Sequence, residues 1–272
     1  DRMLRGDDGS STYNVYTTGD IKKRILTAAL GQTSNIRKVY DGGLEADKNN
    51  LRVNNFLEGD KDQLDKSAVF DRSNANVSPG ETVNARTITY TATLTGDAVG
   101  NYAFDSLTGS AQKVLTATGD IEKRKVYARV TAPRVKTYDA TTKVLIDGAD
   151  PISSDALVTL GRNNSNDANT GLVDGKGANK TTAVYAGANA ADASDSPNKQ
   201  VDYKLAIDGS DAYGAFADNY IVYDESGNVV YNTATGRDTL TTYDNTINRA
   251  PLSVTAKSAT KEYDGGRRVK NP

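Results

Sequence analysis

A short motif and its surroundings recur along this chain, and repetition constrains architecture before any local propensity does. "RKVYDGG" carries Tyr40-Asp41-Gly42, "VKTYDATTK" carries Tyr138-Asp139-Ala140 and "TKEYDGG" carries Tyr263-Asp264-Gly265. Each follows a lead-in segment: "TGDIKKRILTAAL" from Thr18, "TGDIEKRKVYARV" from Thr118 and "NTINRAPLSVTA" from Asn245. In the second, Val126, Ala128 and Val130 fall on alternate positions, and in the third Leu252, Val254 and Ala256 do. Period two predicts a half-buried strand in each.

The copies also agree downstream. "SAVF" at Ser67–Phe70 matches "TAVY" at Thr182–Tyr185. Ile88, Tyr90, Ala92 and Leu94 then match Val201, Tyr203, Leu205 and Ile207, and each row runs on to an Asn-Tyr pair, Asn101-Tyr102 and Asn219-Tyr220. "LRGDDGSSTYNVY", Leu4–Tyr16, reads as the tail of a preceding copy, aligned with "LTGDAVGNYAF". The expected division is therefore 1–20 as the C-terminal part of a preceding repeat, 21–120 as a first complete repeat, 121–246 as a second repeat with insertions, and 247–272 as the N-terminal part of a following repeat. Asp1, in place of an initiator methionine, suggests a piece of a longer chain. One insertion is "GRNNSNDANTGLVDGKGANK", Gly161–Lys180, a polar surface loop, and another is a hairpin around Ser226-Gly227-Asn228.

Composition narrows the chemistry. The 272 residues contain no cysteine, histidine or tryptophan. Disulfides, ordinary zinc sites, thiol nucleophiles and histidine bases are thereby excluded. No carboxylate pair is singled out by its context, so the reading is not an enzyme. Lys and Arg number 33 against 35 Asp and Glu, with no basic stripe, which argues against a nucleic-acid partner. No apolar run approaches the roughly 20 residues of a membrane span. Tyr outnumbers Phe 15 to 4. Abundant Thr, Ala, Asn, Asp and Gly complete the pattern of a mainly β protein with thin cores.

The motif reads as structural. A strand ends at the tyrosine, which buries its ring and keeps its hydroxyl near water. Asp41, Asp139 and Asp264 bond nearby N–H groups, and Gly42 and Gly265 accept positive φ. Ala140, where Gly is expected, weakens the turn of the middle copy. Asn101-Tyr102 and Asn219-Tyr220 are expected to close a hairpin. Asn163, Asn164, Asp167 and Asn169 offer oxygens as candidate ligand contacts, with calcium as the cation such oxygens would suit. No other cofactor is expected. Three Asn-x-Ser/Thr triplets, at Asn76, Asn163 and Asn179, are candidate glycosylation sites. Arg5-Gly6-Asp7 has the form of an integrin-recognition tripeptide, but the aligned turns carry Thr95-Gly96-Asp97 and Asp208-Gly209-Ser210, so one turn substitution accounts for it. "FLEGDKDQLDK", Phe56–Lys66, is a candidate short helix packed on the sheet.

A basic residue two before Tyr-Asp-Gly, an alternating strand ahead of it and the "GNYAF" ending at Gly100–Phe104 together resemble the YDG-type tandem repeats of bacterial surface adhesins, filamentous-haemagglutinin-like exoproteins of two-partner secretion. That resemblance implies a stalk or adhesive repeat, secreted or at the cell surface, spacing or presenting binding regions for attachment or biofilm. The residues themselves predict tandem β-sandwich or β-grasp-like modules, and because "TGDIEKR" runs straight into the next strand they are expected end to end in an elongated rod. The expected partners are neighbouring repeats and a host or bacterial glycan or protein, with no membrane insertion, and the chain is expected to be a monomer. The alternative is a module that binds a glycan or host protein directly through the insertions of the second repeat. Lys–Asn isopeptide bonds, known in some bacterial surface repeats, are a further option for a chain without disulfides.

Overall fold

A computed structural model describes residues 19–144, 153–190, 198–258, 260–263 and 265–266. The protein is mainly β, and no α-helix among the described residues exceeds one turn. It divides into two compact units between Glu122 and Lys123.

The first unit contains β1 (Arg24–Ile25), β2 (Thr27–Leu30), β3 (Ile36–Val39), β4 (Leu51–Asn54), β5 (Leu64–Phe70), β6 (Arg86–Leu94), β7 (Tyr102–Ala103) and β8 (Gln112–Glu122). Its main sheet has the order β3-β8-β6-β5, with β3 parallel to β8 and the other neighbours antiparallel. β1 pairs in parallel with β7, and β2 pairs antiparallel with β4. The pleat explains the core: along β6, Ile88, Tyr90, Ala92 and Leu94 are buried while the intervening threonines face outward. Leu26, Tyr40, Leu51, Phe70 and Ile121 add to the same interior.

The second unit contains β9 (Arg124–Arg129), β10 (Val135–Thr137), β11 (Thr159–Gly161), β12 (Ala178–Asn179), β13 (Thr182–Tyr185), β14 (Lys199–Lys204), β15 (Ile207–Asp208), β16 (Ser210–Asp211), β17 (Gly214–Ala215), β18 (Tyr220–Tyr223), β19 (Val229–Tyr231) and β20 (Thr239–Asn248). Its main sheet is β10-β20-β14-β13, with β10 parallel to β20 and the rest antiparallel. Position by position, this is the order and sense of β3-β8-β6-β5. β9 pairs in parallel with β18 and antiparallel with β11, as β1 does with β7 and β2 with β4. Arg24 stands opposite Tyr102, and Arg124 opposite Tyr220. The hairpin expected at Ser226-Gly227-Asn228 joins β18 to β19.

Several local expectations fail. Glu58–Gln63 is a 3₁₀ turn that buries no residue, and Leu64 already belongs to β5. Six residues containing Gly59 make too short an apolar stripe to dock as a helix, so Phe56–Lys66 does not supply the helix of a β-grasp. "TGDIE" is the end of β8, the last strand of the first unit, and "NTIN" is the end of β20. Residues 249–258 form no strand, and Leu252 and Val254 are 88% and 84% exposed. Alternation alone does not make a strand. β1 and β9 have ladder partners at Tyr102 and Tyr220, and no described strand lies beside 249–258.

Candidate functional site

The recurring turn is built around a lysine. Lys38 Nζ lies 2.7 Å from Asp41 Oδ1 and donates to the carbonyls of Gly43 and Glu45, each at 3.0 Å. Asp41 Oδ1 also accepts the Gly43 N–H at 2.9 Å, and Gly42 has φ 80°. In the second unit Lys136 Nζ lies 2.7 Å from both Asp139 Oδ1 and the Thr141 carbonyl. Asp139 Oδ1 accepts the Thr141 N–H at 2.9 Å, and Ala140 has φ 63°. Near the C-terminus Lys261 Nζ donates to the Gly266 carbonyl at 3.0 Å, and Gly265 has φ 72°. In all three copies the lysine two before the tyrosine reaches the carbonyl five residues ahead. Asp264 lies outside the described residues.

The lysine also sits over an aromatic ring of the strand at the opposite edge of its sheet, β5 or β13. Lys38 Nζ is 5.8 Å from the Phe70 centroid, and Lys136 Nζ is 5.5 Å from that of Tyr185, the matching position. Hydrogen bonding to the Lys136 ammonium, then to the Thr141 N–H, holds the Asp139 carboxyl down at about 2. Ala140 keeps the same turn as Gly42, so the middle copy preserves its geometry at the cost of a left-handed alanine. The tyrosines differ from expectation. Tyr40 is 1% exposed, so its hydroxyl is buried with the ring, whereas Tyr138 is 41% exposed and Tyr263 is 96% exposed. The backbone role is shared by the first two: the Tyr40 and Tyr138 N–H groups donate to the Glu122 and Asn248 carbonyls and close the parallel ladder.

Asn101-Tyr102 and Asn219-Tyr220 do not close hairpins. Each ends a short helical turn and starts a parallel strand, β7 or β18, against the first strand of its unit. Their hydroxyls anchor what lies above. Tyr102 Oη donates to Asp60 Oδ2 at 2.6 Å, and its ring stacks on Phe56 at 4.4 Å. Tyr220 Oη donates to the Lys176 carbonyl at 2.5 Å and accepts the Val173 N–H at 3.2 Å.

The loop proposed as a ligand site is occupied with its own structure. Asn164 Oδ1 accepts the Asn166 N–H, and Asp167 Oδ1 accepts that of Asn169. Arg129 donates to the carbonyls of Arg162 and Asn163, and Arg124 to those of Ala168, Thr170 and Gly171. Two guanidinium groups on its carbonyls make this a poor calcium cradle. Among the described residues no group of three metal-binding side chains occurs. Asn76 and Asn179 are likewise engaged: Asn76 bonds Asp120 and Ile121, and Asn179 bonds Asp155, Val158 and Thr181. Asn163 is the exposed triplet asparagine. Buried Lys136 meets Asp139 and Thr141 rather than an asparagine, the partner of a Lys–Asn bond. Arg5-Gly6-Asp7 lies outside the described residues.

Asp120 and the two arginines were not singled out by sequence. Asp120 is fully buried, and its carboxylate accepts from Asn76 Nδ2 and from the N–H groups of Val83, Asn84 and Ala85. Burial pushes its pKa up, but those four donors outweigh it and the net shift is downward. Arg24 bonds Asn55 much as Arg124 bonds its loop. The available signal was the recurrence of "TGDI" and of a base at the start of each lead-in.

Residues 22–109 match the family model of the YDG domain. The match opens just before β1 and closes after β7. No curated protein and no solved structure matches the chain. No helix among the described residues is long and apolar enough to cross a membrane.

Proposed function

We propose that the chain is a stalk segment of a large bacterial surface or secreted adhesin, in which YDG-type modules space binding regions from the cell. The observation that carries this reading is the repeated strand order, with a single residue, Lys123, between the last strand of one unit and the first of the next. So short a connection suits units set end to end as a rod. Catalysis has no part in it: the constellations at the turns are spent on backbone carbonyls. The adhesin assignment itself rests on the sequence resemblance. The side-chain oxygens of Asn164 and Asp167 in the second unit's insertion each take an N–H of their own loop, which favours the spacer over direct binding there.

Small-angle scattering of the 272-residue chain tests the rod. A single compact globule of this length has a radius of gyration of about 18–19 Å. A rod gives a clearly larger value, and agreement with the compact figure contradicts it. A glycan array on the same material separates spacer from binder: the spacer reading expects no specific signal.

A further inference from the structure

The outward face of the first unit's main sheet carries a grid of one residue type. On β6 and β8, Thr87 stands opposite Thr118, and Thr89 opposite Thr116. Thr91 and Thr93 extend the β6 row on the same side. Val69 and Val114, 39% and 49% exposed, flank the threonines on the two neighbouring strands. Charge lies at the margins: Asp65 opposite Thr93, Asp71 beside Thr87, the Arg37–Glu122 ion pair, and buried Asp120, two residues beyond Thr118, which the 83–85 segment covers.

The fold does not require this. Tyr203 of β14 occupies the place of Tyr90, so Gln200, Asp202 and Lys204 hold the places of Thr87, Thr89 and Thr91. There Thr241 bonds Asp202, and Lys204 pairs with Asp238, on the same sheet order. Strand propensity accounts for threonine at a solvated position, but not for a neutral grid in one unit and a charged face in the other.

We propose that this threonine face is a weak self-association surface whose partner is the same face of a second copy of the chain. A hydroxyl both donates and accepts, so a threonine row is complementary to itself under a two-fold rotation, as a lysine or aspartate row is not. The exposed valines gain from burial, and no charge at the centre needs desolvation. Two such sheets can stack about 10 Å apart with strands near −30°. Three strands spaced about 4.8 Å and about 30 Å long present roughly 400 Å² per copy. The total buried is therefore about 800 Å², below the roughly 1,200 Å² of a stable interface and of the size of a weak, transient contact. Such contacts form where copies are crowded, and the inference does not depend on the stalk reading.

Sedimentation equilibrium of the full chain, from micromolar to low millimolar, tests it. The average mass is expected to rise toward twice the monomer value. Thr91→Lys, which copies the residue the second unit already tolerates, is expected to weaken association at least tenfold with unchanged melting. A monomer at every concentration overturns the proposal, and so does a dimer that Thr91→Lys leaves intact.

Discussion

Lys38 and Lys136 each replace water with two or three turn oxygens, and that is where the motif's stability resides. Lys38→Met keeps the aliphatic stem and removes the ammonium. Charge-assisted bonds to half-buried carbonyls then go unmade, at a cost of about 1.5–3 kcal/mol. Urea denaturation followed at the first unit is expected to show it. Ala140→Gly has the opposite sign. A left-handed alanine costs about 1–2 kcal/mol, partly offset by the added freedom of glycine in the unfolded chain. A net gain of about 0.5–1 kcal/mol in the second unit is expected from the same measurement. Acid acts through the aspartates: the folded-state pKa of Asp139 is about 2, and those of Asp120, Asp105, Asp224 and Asp238 are also lowered. Depressed folded pKa values add stability above the unfolded carboxylate range, about 4, and lose it as pH falls through the folded values. Melting temperature is therefore expected to be flat near neutrality and to fall between about pH 4 and pH 2; a chain as stable at pH 2 as at pH 6 contradicts this account. The positions of lysine, tyrosine and aspartate were legible in the sequence, and so was the turn. That the lysine serves the carbonyl five residues on was not, because it depends on how the strand exits.

At the scale of elements, the parallel pair β3–β8 makes the strictest demand. A Cβ on Gly119 would come within 2.2 Å of the Ile36 carbonyl oxygen. Gly119→Ala is expected to destabilise the first unit by at least about 2 kcal/mol, since backbone must move; a melting temperature within a degree of wild type would exclude that close approach. The second unit solves the same problem differently. Asn245 occupies the place of Gly119, its Oδ1 accepts the Arg134 N–H, and the ladder begins one residue later at Val135–Thr246. Alternation in β5, β6, β9, β13 and β14 was readable from period two. The parallel strands after Asn-Tyr were not, because their partners Arg24 and Arg124 lie far back in the chain. The third lead-in shows the converse: Leu252 and Val254 have the pattern of a strand, and no described strand pairs with them. The bond from Lys261 to the Gly266 carbonyl is present there all the same.

For the whole molecule, repetition was the most legible property, and its consequence is two bodies with one topology. The insertions of the second unit change the loops above β18 and leave β10-β20-β14-β13 in the order of its counterpart. Tyr102 and Tyr220 show how: one anchors to Asp60 in a 3₁₀ turn, the other to Lys176 in the inserted loop. That Arg124 and Arg129 bond the carbonyls of the polar 161–171 loop was not legible, because loop composition does not reveal what packs against it. The most direct test is backbone NMR of the chain, reading inter-strand contacts at the ladder that each motif closes. Parallel-strand contacts are expected between Lys38 and Ile121 and, equivalently, between Lys136 and Ile247. An antiparallel pattern at either, or a ladder in one unit with none in the other, would contradict two copies of one module.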